Sequence, residues 1–292
     1  MKWSRARRSS NVEDRRGGSM PGGGIIGKMG VGGIAAVMLV GWMLGKDPLE
    51  MLGILSQISE TGQVASATTG TTPPTPVDDE ASRFIASILG EAEDVWSELF
   101  AQSGSSYRPS KLVLFTDRVV STCGGAHAAM GPFYCPLDEK VYLDLSFFRE
   151  MRARLGGGGD FAEAYVIAHE IGHHIQTLTG ISQKVDDARR RGQRVDGDGG
   201  MLVRLELQAD CYAGVWAHRA QQRHKWLEPG DIEEAMSTAS AIGDDRLQKQ
   251  SGGTVVPDAF THGTAEQRMR WFRAGFETGE VKQCNTFSAT RL

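Results

Sequence analysis

Residues 164–178 read AYVIAHEIGHHIQTL, a stretch with the apolar spacing of one well-bounded helix. Asp160 is predicted to cap the start of this helix, and Gly180 to end it. Residues four positions apart on a helix lie on one face, because each residue turns the chain by about 100°. His169 and His173 are therefore predicted to project from the same side of the helix.

The five residues from His169 to His173 match the pattern H-E-x-x-H. Two imidazoles on one helical face can reach the same metal ion. Glu170 is turned away from direct ligation, but it is close enough to hold a water molecule beside the metal ion. We therefore predict that His169 and His173 bind a single zinc ion and that Glu170 is the general base.

A catalytic zinc site usually has three protein ligands, so a third is expected from another element. Residues 205–211, LELQADC, lie in a predicted helix at about 200–222, where Glu206 and Asp210 share one face. Glu206 is the predicted third ligand, and its alternative role is an acid in a surface salt bridge. Asp210 is predicted to accept the outer N–H of a ligating histidine and so to fix its tautomer.

Three further side chains are predicted near the reacting groups. His262, in Thr261–His262–Gly263 before a helix start, is a candidate donor to a substrate oxyanion; a loop or capping role is the alternative. Tyr142 and Tyr165 are candidate substrate-binding residues. The strand at 140–145 could pair with an extended substrate as an added strand.

The order of predicted elements favours an α+β fold. A helix follows Asp78 or Asp79, then come strands at 111–115 and around the turn at 136–139, and further helices at about 200–222, 231–249 and 265–278. The sheet is thus expected to be small and antiparallel or mixed, with a mostly helical C-terminal half. The domain that contains these elements is predicted at 78–292.

The N-terminal part of the chain differs in composition from the rest. Residues 1–28 carry seven basic and two acidic side chains, although the whole chain has a net charge of −4. Residues 29–45 carry no charge. We predict a basic cytoplasmic tail at 1–24, a transmembrane helix at 25–45, and a juxtamembrane segment with a Thr/Pro/Gly linker at 46–77. A cleaved signal peptide is the alternative.

This topology makes the domain extracytoplasmic, periplasmic or extracellular. An oxidising location favours disulfides among the four cysteines, which allow three pairings. Cys123 with Cys135 is the favoured pair because both flank a short Gly-rich loop, which leaves Cys211 with Cys284. Four free thiols are the alternative.

Four stretches of the chain carry a resemblance to a known family. They are the Gly-rich segment with GKDPLEMLG, GPFYCPLDEKVYLDLSFF (131–148), AHEIGHHIQ with LELQADCYAGVWA, and THGTAEQRMRWFRAGF (261–276). H-E-x-x-H followed by E-x-x-x-D resembles the glutamate zincins, and the longer stretches resemble the bacterial family named "putative neutral zinc metallopeptidase". This resemblance implies a zincin-like fold, one zinc ion per chain and a single-pass membrane anchor, and it implies no particular substrate.

The expected function is hydrolysis of peptide bonds, with a protein or peptide as substrate. A zinc-bound but catalytically silent module that binds proteins at the membrane is the alternative, although such a module has no need of Glu170. The acidic remainder of the chain speaks against nucleic acid as a partner, because phosphate binding needs a basic surface. The sequence leaves the oligomeric state open.

Overall fold

A computed structural model describes residues 1–16, 78–127, 131–155, 159–241, 243–250 and 255–292 of the chain. In these ranges a small mixed sheet accompanies a larger group of helices, as the α+β prediction required. The strands are β1 (Val12–Asp14), β2 (Lys111–Phe115), β3 (Arg118–Ser121), β4 (Gly124–His127), β5 (Phe133–Cys135) and β6 (Lys140–Asp144). The helices are α1 (Glu80–Gln102), α2 (Leu145–Leu155), α3 (Asp160–Leu178), α4 (Ile181–Arg190), α5 (Met201–His224), α6 (Asp231–Ala241), α7 (Asp244–Gln250) and α8 (Ala265–Thr278).

The four-stranded sheet has the order β1-β2-β6-β5. Its first three strands are parallel, and β5 pairs antiparallel with β6, so that Phe133 lies opposite Tyr142. Strands β3 and β4 form a separate antiparallel hairpin. Because β6 is bonded to β2 on one side and to β5 on the other, the prediction that this strand pairs with substrate is wrong.

The N-terminal residues 1–16 pack on the domain. Strand β1 extends the sheet, with Glu13 opposite Val113 of β2. Arg7 donates hydrogen bonds to Glu93 (2.7 Å) and Asp94 (2.8 Å) of α1. These contacts make the first 16 residues a structural part of the domain.

The predicted membrane topology is corrected by these contacts. A tail that packs on the domain cannot lie across a membrane from it, so the single-pass location with a cytoplasmic N-terminus is wrong. The predicted transmembrane helix (25–45) and linker (46–77) fall outside the described residues. Within the described ranges, every helix is too short or too polar to cross a bilayer.

Helices α3, α5 and α8 pack closely because small residues lie where they cross. A Cβ on Gly172 of α3 would lie 3.0 Å from the Cα of Ala209 on α5. A Cβ on Gly275 of α8 would lie 2.0 Å from the Cys211 carbonyl oxygen of α5. The contact at Gly275 excludes a larger side chain and that at Gly172 leaves little room for one, so the two glycines allow the backbones to approach. The contact at Gly172 brings the predicted ligands of α3 and α5 together.

Candidate metal centre

The imidazoles of His169 and His173 lie side by side, as their spacing on α3 predicted. Their ring centres are 4.8 Å apart and the ring planes are nearly perpendicular. His169 is buried, with 7 % of its surface exposed. Both rings direct their Nε2 atoms towards one carboxylate of α5.

That carboxylate belongs to Glu206. Its Oε2 lies 3.2 Å from Nε2 of His169, and its Oε1 lies 3.4 Å from Nε2 of His173. Two ligand atoms that each lie about 2.0–2.1 Å from a tetrahedral zinc ion are about 3.3 Å apart. The three side chains thus offer ligand atoms within 4.8 Å of one another, in a set of two nitrogens and one oxygen that suits zinc.

The carboxylates of Glu206 and of Asp210, which lies behind His169, also suit a cation. Burial raises the pKa of Glu206, but His173 and His169 outweigh burial and hold this pKa well below its usual range. Burial lowers the pKa of His169, but Asp210 and Glu206 outweigh it and raise the pKa to about 10. The carboxylates therefore place negative charge where a divalent ion would be held.

Glu170 lies on the same helix, one residue after His169. It is 8 % exposed. In the part of the chain that the structure describes, its carboxylate takes part in neither a hydrogen bond nor an ion pair. The carboxylate oxygens are therefore available to a water molecule.

Asp210 occupies the position predicted for it behind His169. Its Oδ1 accepts from Nδ1 of His169 at 2.8 Å, so that Nε2, which faces Glu206, is the nitrogen that would bind a metal ion. The Tyr165 hydroxyl donates to the same oxygen at 2.6 Å. Arg268 of α8 completes the group with hydrogen bonds to both carboxylate oxygens.

Arg268 was not predicted from the sequence, although a signal for it exists. The buried positions of α8 are Ala265, Arg268, Trp271, Phe272 and Gly275, so the arginine lies on the apolar face. A charged residue on such a face needs a partner of opposite charge. The position of Arg268 on that face could therefore have indicated a buried acid nearby.

His173 is oriented by a neutral group. Its Nδ1 donates to Oε1 of Gln176 at 2.9 Å, one turn further along α3. The adjacent His174 points away and is fully buried, with Nδ1 bonded to the Tyr134 hydroxyl (3.0 Å) and Nε2 to the Arg108 carbonyl (2.6 Å). His174 therefore ties α3 to strand β5 and has no place among the ligands.

His262 lies in a loop between α7 and α8, held by Asp244. Oδ2 of Asp244 accepts the backbone N–H groups of Thr261, His262 and Gly263, and Oδ1 lies 3.1 Å from Nδ1 of His262. The hydrogen bond to Asp244 raises the pKa of His262, burial lowers it, and the charge of Glu206 raises it further. Asp244 therefore fixes both the backbone and the ring of His262.

The two predicted substrate-binding tyrosines are not at the surface. Tyr142 is 2 % exposed, stacks on Phe133 and donates to Asp138. Tyr165 is fully buried and donates to Asp210. Neither ring is accessible to a substrate, and Tyr165 instead helps to orient His169.

Both favoured disulfides are present. Cys123–Cys135 joins the β3–β4 hairpin to β5, and Cys211–Cys284 joins α5 to the C-terminal 3-10 turn at Val281–Cys284. Cys211 directly follows Asp210 in the chain. The second disulfide therefore fixes the C-terminal segment next to the predicted metal centre.

Comparison with known proteins supports the same assignment. A model of the family "Putative neutral zinc metallopeptidase" matches residues 1–287. "Uncharacterized protein YpfJ" of Escherichia coli (strain K12) is 46 % identical over 291 residues, which cover 98 % of this chain and 99 % of the relative. "Uncharacterized protein Rv2575" of Mycobacterium tuberculosis (strain H37Rv) is 42 % identical over 73 % of this chain and 74 % of its own length. No solved structure matches the chain.

Proposed function

Because the chain belongs to the family of putative neutral zinc metallopeptidases, we propose that it hydrolyses peptide bonds with one zinc ion held by His169, His173 and Glu206. The observation that carries this proposal is the convergence of these three side chains, with Glu206 within 3.4 Å of both imidazoles. A bound zinc ion supplies a positive charge that polarises the scissile carbonyl and lowers the pKa of water towards ~7.

Glu170 is the proposed general base. Its carboxylate is buried beside the ligands, and among the described residues it has no competing partner. Glu170 accepts a proton from the attacking water and passes it to the leaving amine. The same carboxylate therefore transfers the proton in both steps, the attack of water and the departure of the amine.

His262 is the proposed donor to the oxyanion that develops on the substrate carbonyl. Asp244 accepts from Nδ1, so the other nitrogen, Nε2, can donate only when the ring is a protonated imidazolium. The raised pKa of His262 favours this form. Asp244 thus acts as a positioning residue that also maintains the charge on His262.

An extended peptide is the proposed substrate, and strand β5 its proposed pairing partner. β5 is at the edge of the four-stranded sheet, whereas β6 is in the interior. The Tyr134–His174 hydrogen bond ties β5 to the helix that carries both imidazoles. A substrate strand paired with β5 would bind through its backbone, with loose selection of side chains.

A Glu170→Gln variant tests the proposal. The purified chain is loaded with zinc and incubated with a peptide library and an unfolded protein, with and without a chelator. We expect Glu170→Gln to retain zinc and to lose about 10²–10⁴-fold of the cleavage rate. Glu150→Gln, at an exposed position of α2, is the matched control and should cleave like the wild type.

Two outcomes would contradict the proposal. Cleavage by Glu170→Gln at the wild-type rate would exclude Glu170 as the base. A zinc-loaded wild type that cleaves neither the library nor the unfolded protein would favour the catalytically silent binding module instead.

A further inference from the structure

We infer that Gln208 is a positioning residue for the zinc ligand His173, and that it acts through Gln176 in a chain of buried amide hydrogen bonds that ends on the backbone carbonyl of Cys284. The inference rests on the proposed function, because it assigns a role towards the same metal ion. It adds two residues to the site, one on α3 and one on α5.

The chain of hydrogen bonds crosses three elements. Nδ1 of His173 lies 2.9 Å from Oε1 of Gln176. Nε2 of Gln176 donates to Oε1 of Gln208 at 3.1 Å and to the Leu205 carbonyl at 2.6 Å. Nε2 of Gln208 then donates to the Cys284 carbonyl at 2.9 Å. In each amide, the oxygen therefore lies on the side of the metal position and the nitrogen lies on the side of Cys284.

Two backbone carbonyls determine the direction of these hydrogen bonds, that of Leu205 and that of Cys284. A backbone carbonyl can only accept, so the NH₂ group of Gln208 must face Cys284 and its oxygen must face Gln176. The NH₂ group of Gln176 then faces the Leu205 carbonyl and Gln208, and its oxygen faces His173. An oxygen in that position requires a proton on Nδ1 of His173, which leaves the Nε2 lone pair directed to the metal position.

Burial makes the arrangement hard to reverse. Gln176 is fully buried and Gln208 is 4 % exposed, so water has little access to replace a lost partner. A flip of either amide would bring two donors or two acceptors together in a poorly hydrated region. The chain of amides therefore holds His173 in one tautomer and one orientation.

The Cys284 carbonyl is itself held in place. The Cys211–Cys284 disulfide attaches it to α5. The following residues are bound to the same helix, since the Thr286 hydroxyl donates to the Arg204 carbonyl at 2.6 Å and Arg204 donates to the Ala289 carbonyl at 3.0 Å. The Cys284 carbonyl, the last acceptor in the chain of hydrogen bonds, is thus anchored at two points along α5.

The two ligating histidines are consequently oriented by different means. His169 is bonded to Asp210, a carboxylate paired with Arg268. His173 depends on two neutral amides and on the backbone carbonyls of Leu205 and Cys284. Loss of Gln208 should therefore weaken metal binding through His173, while the hydrogen bond between His169 and Asp210 stays in place.

The test uses the full-length chain with Gln208→Met, which keeps the length of the side chain and removes both hydrogen bonds. Gln208→Leu is a second variant, which also removes both hydrogen bonds and keeps an apolar side chain in the same position. Zinc affinity is measured by competition with a chelator, and the visible spectrum of bound Co²⁺ reports the ligand geometry. Thermal unfolding of the metal-free protein measures stability separately.

We expect both variants to bind zinc about 10–100-fold more weakly, the usual effect of removing a group that orients a metal ligand. The Co²⁺ spectrum should change as well. Thr238→Val, which removes a buried hydroxyl on α6 away from the chain of amides, is the control and should match the wild type in both measurements.

Zinc affinity and a Co²⁺ spectrum equal to those of the wild type in either folded variant would overturn the inference, and the proposed function would stand. A loss of affinity no larger than that of Thr238→Val would also overturn it. A wild type that binds no zinc would overturn both proposals. The zinc measurement on the wild type alone distinguishes this outcome from the failure of the inference on Gln208.

Discussion

Arg268 and Asp210 form a buried ion pair with two hydrogen bonds, Nε to Oδ2 at 2.8 Å and Nη2 to Oδ1 at 2.9 Å, directly behind the imidazole of His169. Arg268 is 2 % exposed and Asp210 is fully buried. Burial raises the pKa of Asp210, but Arg268 and His169 outweigh burial and lower the pKa to about 2. The guanidinium therefore keeps the carboxylate ionised, as the hydrogen bond to His169 requires.

Arg268→Met should destabilise the protein by about 3–5 kcal/mol, because it leaves the Asp210 charge buried without its partner. Chemical denaturation of the metal-free protein measures this loss. Arg273→Met, at an exposed position of the same helix, is the control. Equal stabilities of the two variants would show that Asp210 does not depend on Arg268.

Asp244→Asn should shift the pH dependence of peptide cleavage. Asparagine can still accept backbone N–H groups, but its NH₂ group cannot accept from Nδ1 of His262. The hydrogen bond that His262 donates to Asp244 is the largest cause of the raised pKa of His262. In the wild type, activity should fall as the pH rises through this raised pKa, because the imidazolium donor is lost.

In Asp244→Asn the same fall should occur at a lower pH, closer to the ordinary histidine value of about 6.5. The pH profile of kcat/KM measures the shift, and Asp258→Asn at an exposed position is the control. An alkaline limb at the wild-type pH in Asp244→Asn would exclude His262 as the protonated donor.

Glu163 on α3 should make stability depend on pH near neutrality. Burial raises its pKa to about 7, although Arg152 lies 2.7 Å from its Oε1 and acts in the opposite direction. Half of the Arg152 side chain is exposed, so solvent weakens this pair. A folded-state pKa above the unfolded value means that the contribution to stability is complete below about 4.5 and is lost as the pH rises through about 7.

Replacing Glu163 with Gln should remove this loss. The variant should gain stability relative to the wild type between pH 4.5 and pH 8, by about 3 kcal/mol at most. Denaturation of both proteins across this range measures the difference, in which the contributions of other groups cancel. A difference that stays constant with pH would contradict the raised pKa of Glu163.

The longer helices were predictable because their signals are local. Asp79 caps α1 by accepting from the Ser82 backbone, and Thr264 with Gln267 forms the predicted capping box at α8. The predicted helix at 231–249 is divided into α6 and α7, with Gly243 between them. A Cβ on Gly243 would lie 2.4 Å from the Ala265 backbone nitrogen, a contact that local periodicity cannot reveal.

Strand β1 was missed because its three residues carry too little pattern and pair with β2 about a hundred positions away. The basic charge of this region suggested a tail beside a membrane. The structure instead pairs basic residues of the segment with acids, among them Arg7 with Glu93. Composition alone could not distinguish these two uses of basic side chains.

The centre of the site was predictable because helix geometry places His169 and His173 together. Glu206 and Asp210 followed from a carboxylate pair on an apolar helix. Gln176, Gln208 and Asp244 were missed, because their roles depend on contacts between separate elements. Spacing on one helix predicts ligands, whereas their supporting hydrogen bonds require the tertiary structure.

The most direct test is the zinc content of the protein after dialysis at neutral pH. Elemental analysis measures it in the wild type and in the variant Glu206→Ala. Glu277→Ala, at an exposed position of α8, is the control. We predict one zinc ion per chain in the wild type and in the control, and a large loss in Glu206→Ala. A metal-free wild type, or undiminished zinc in Glu206→Ala, would contradict the assignment of His169, His173 and Glu206 as the ligands of a single ion.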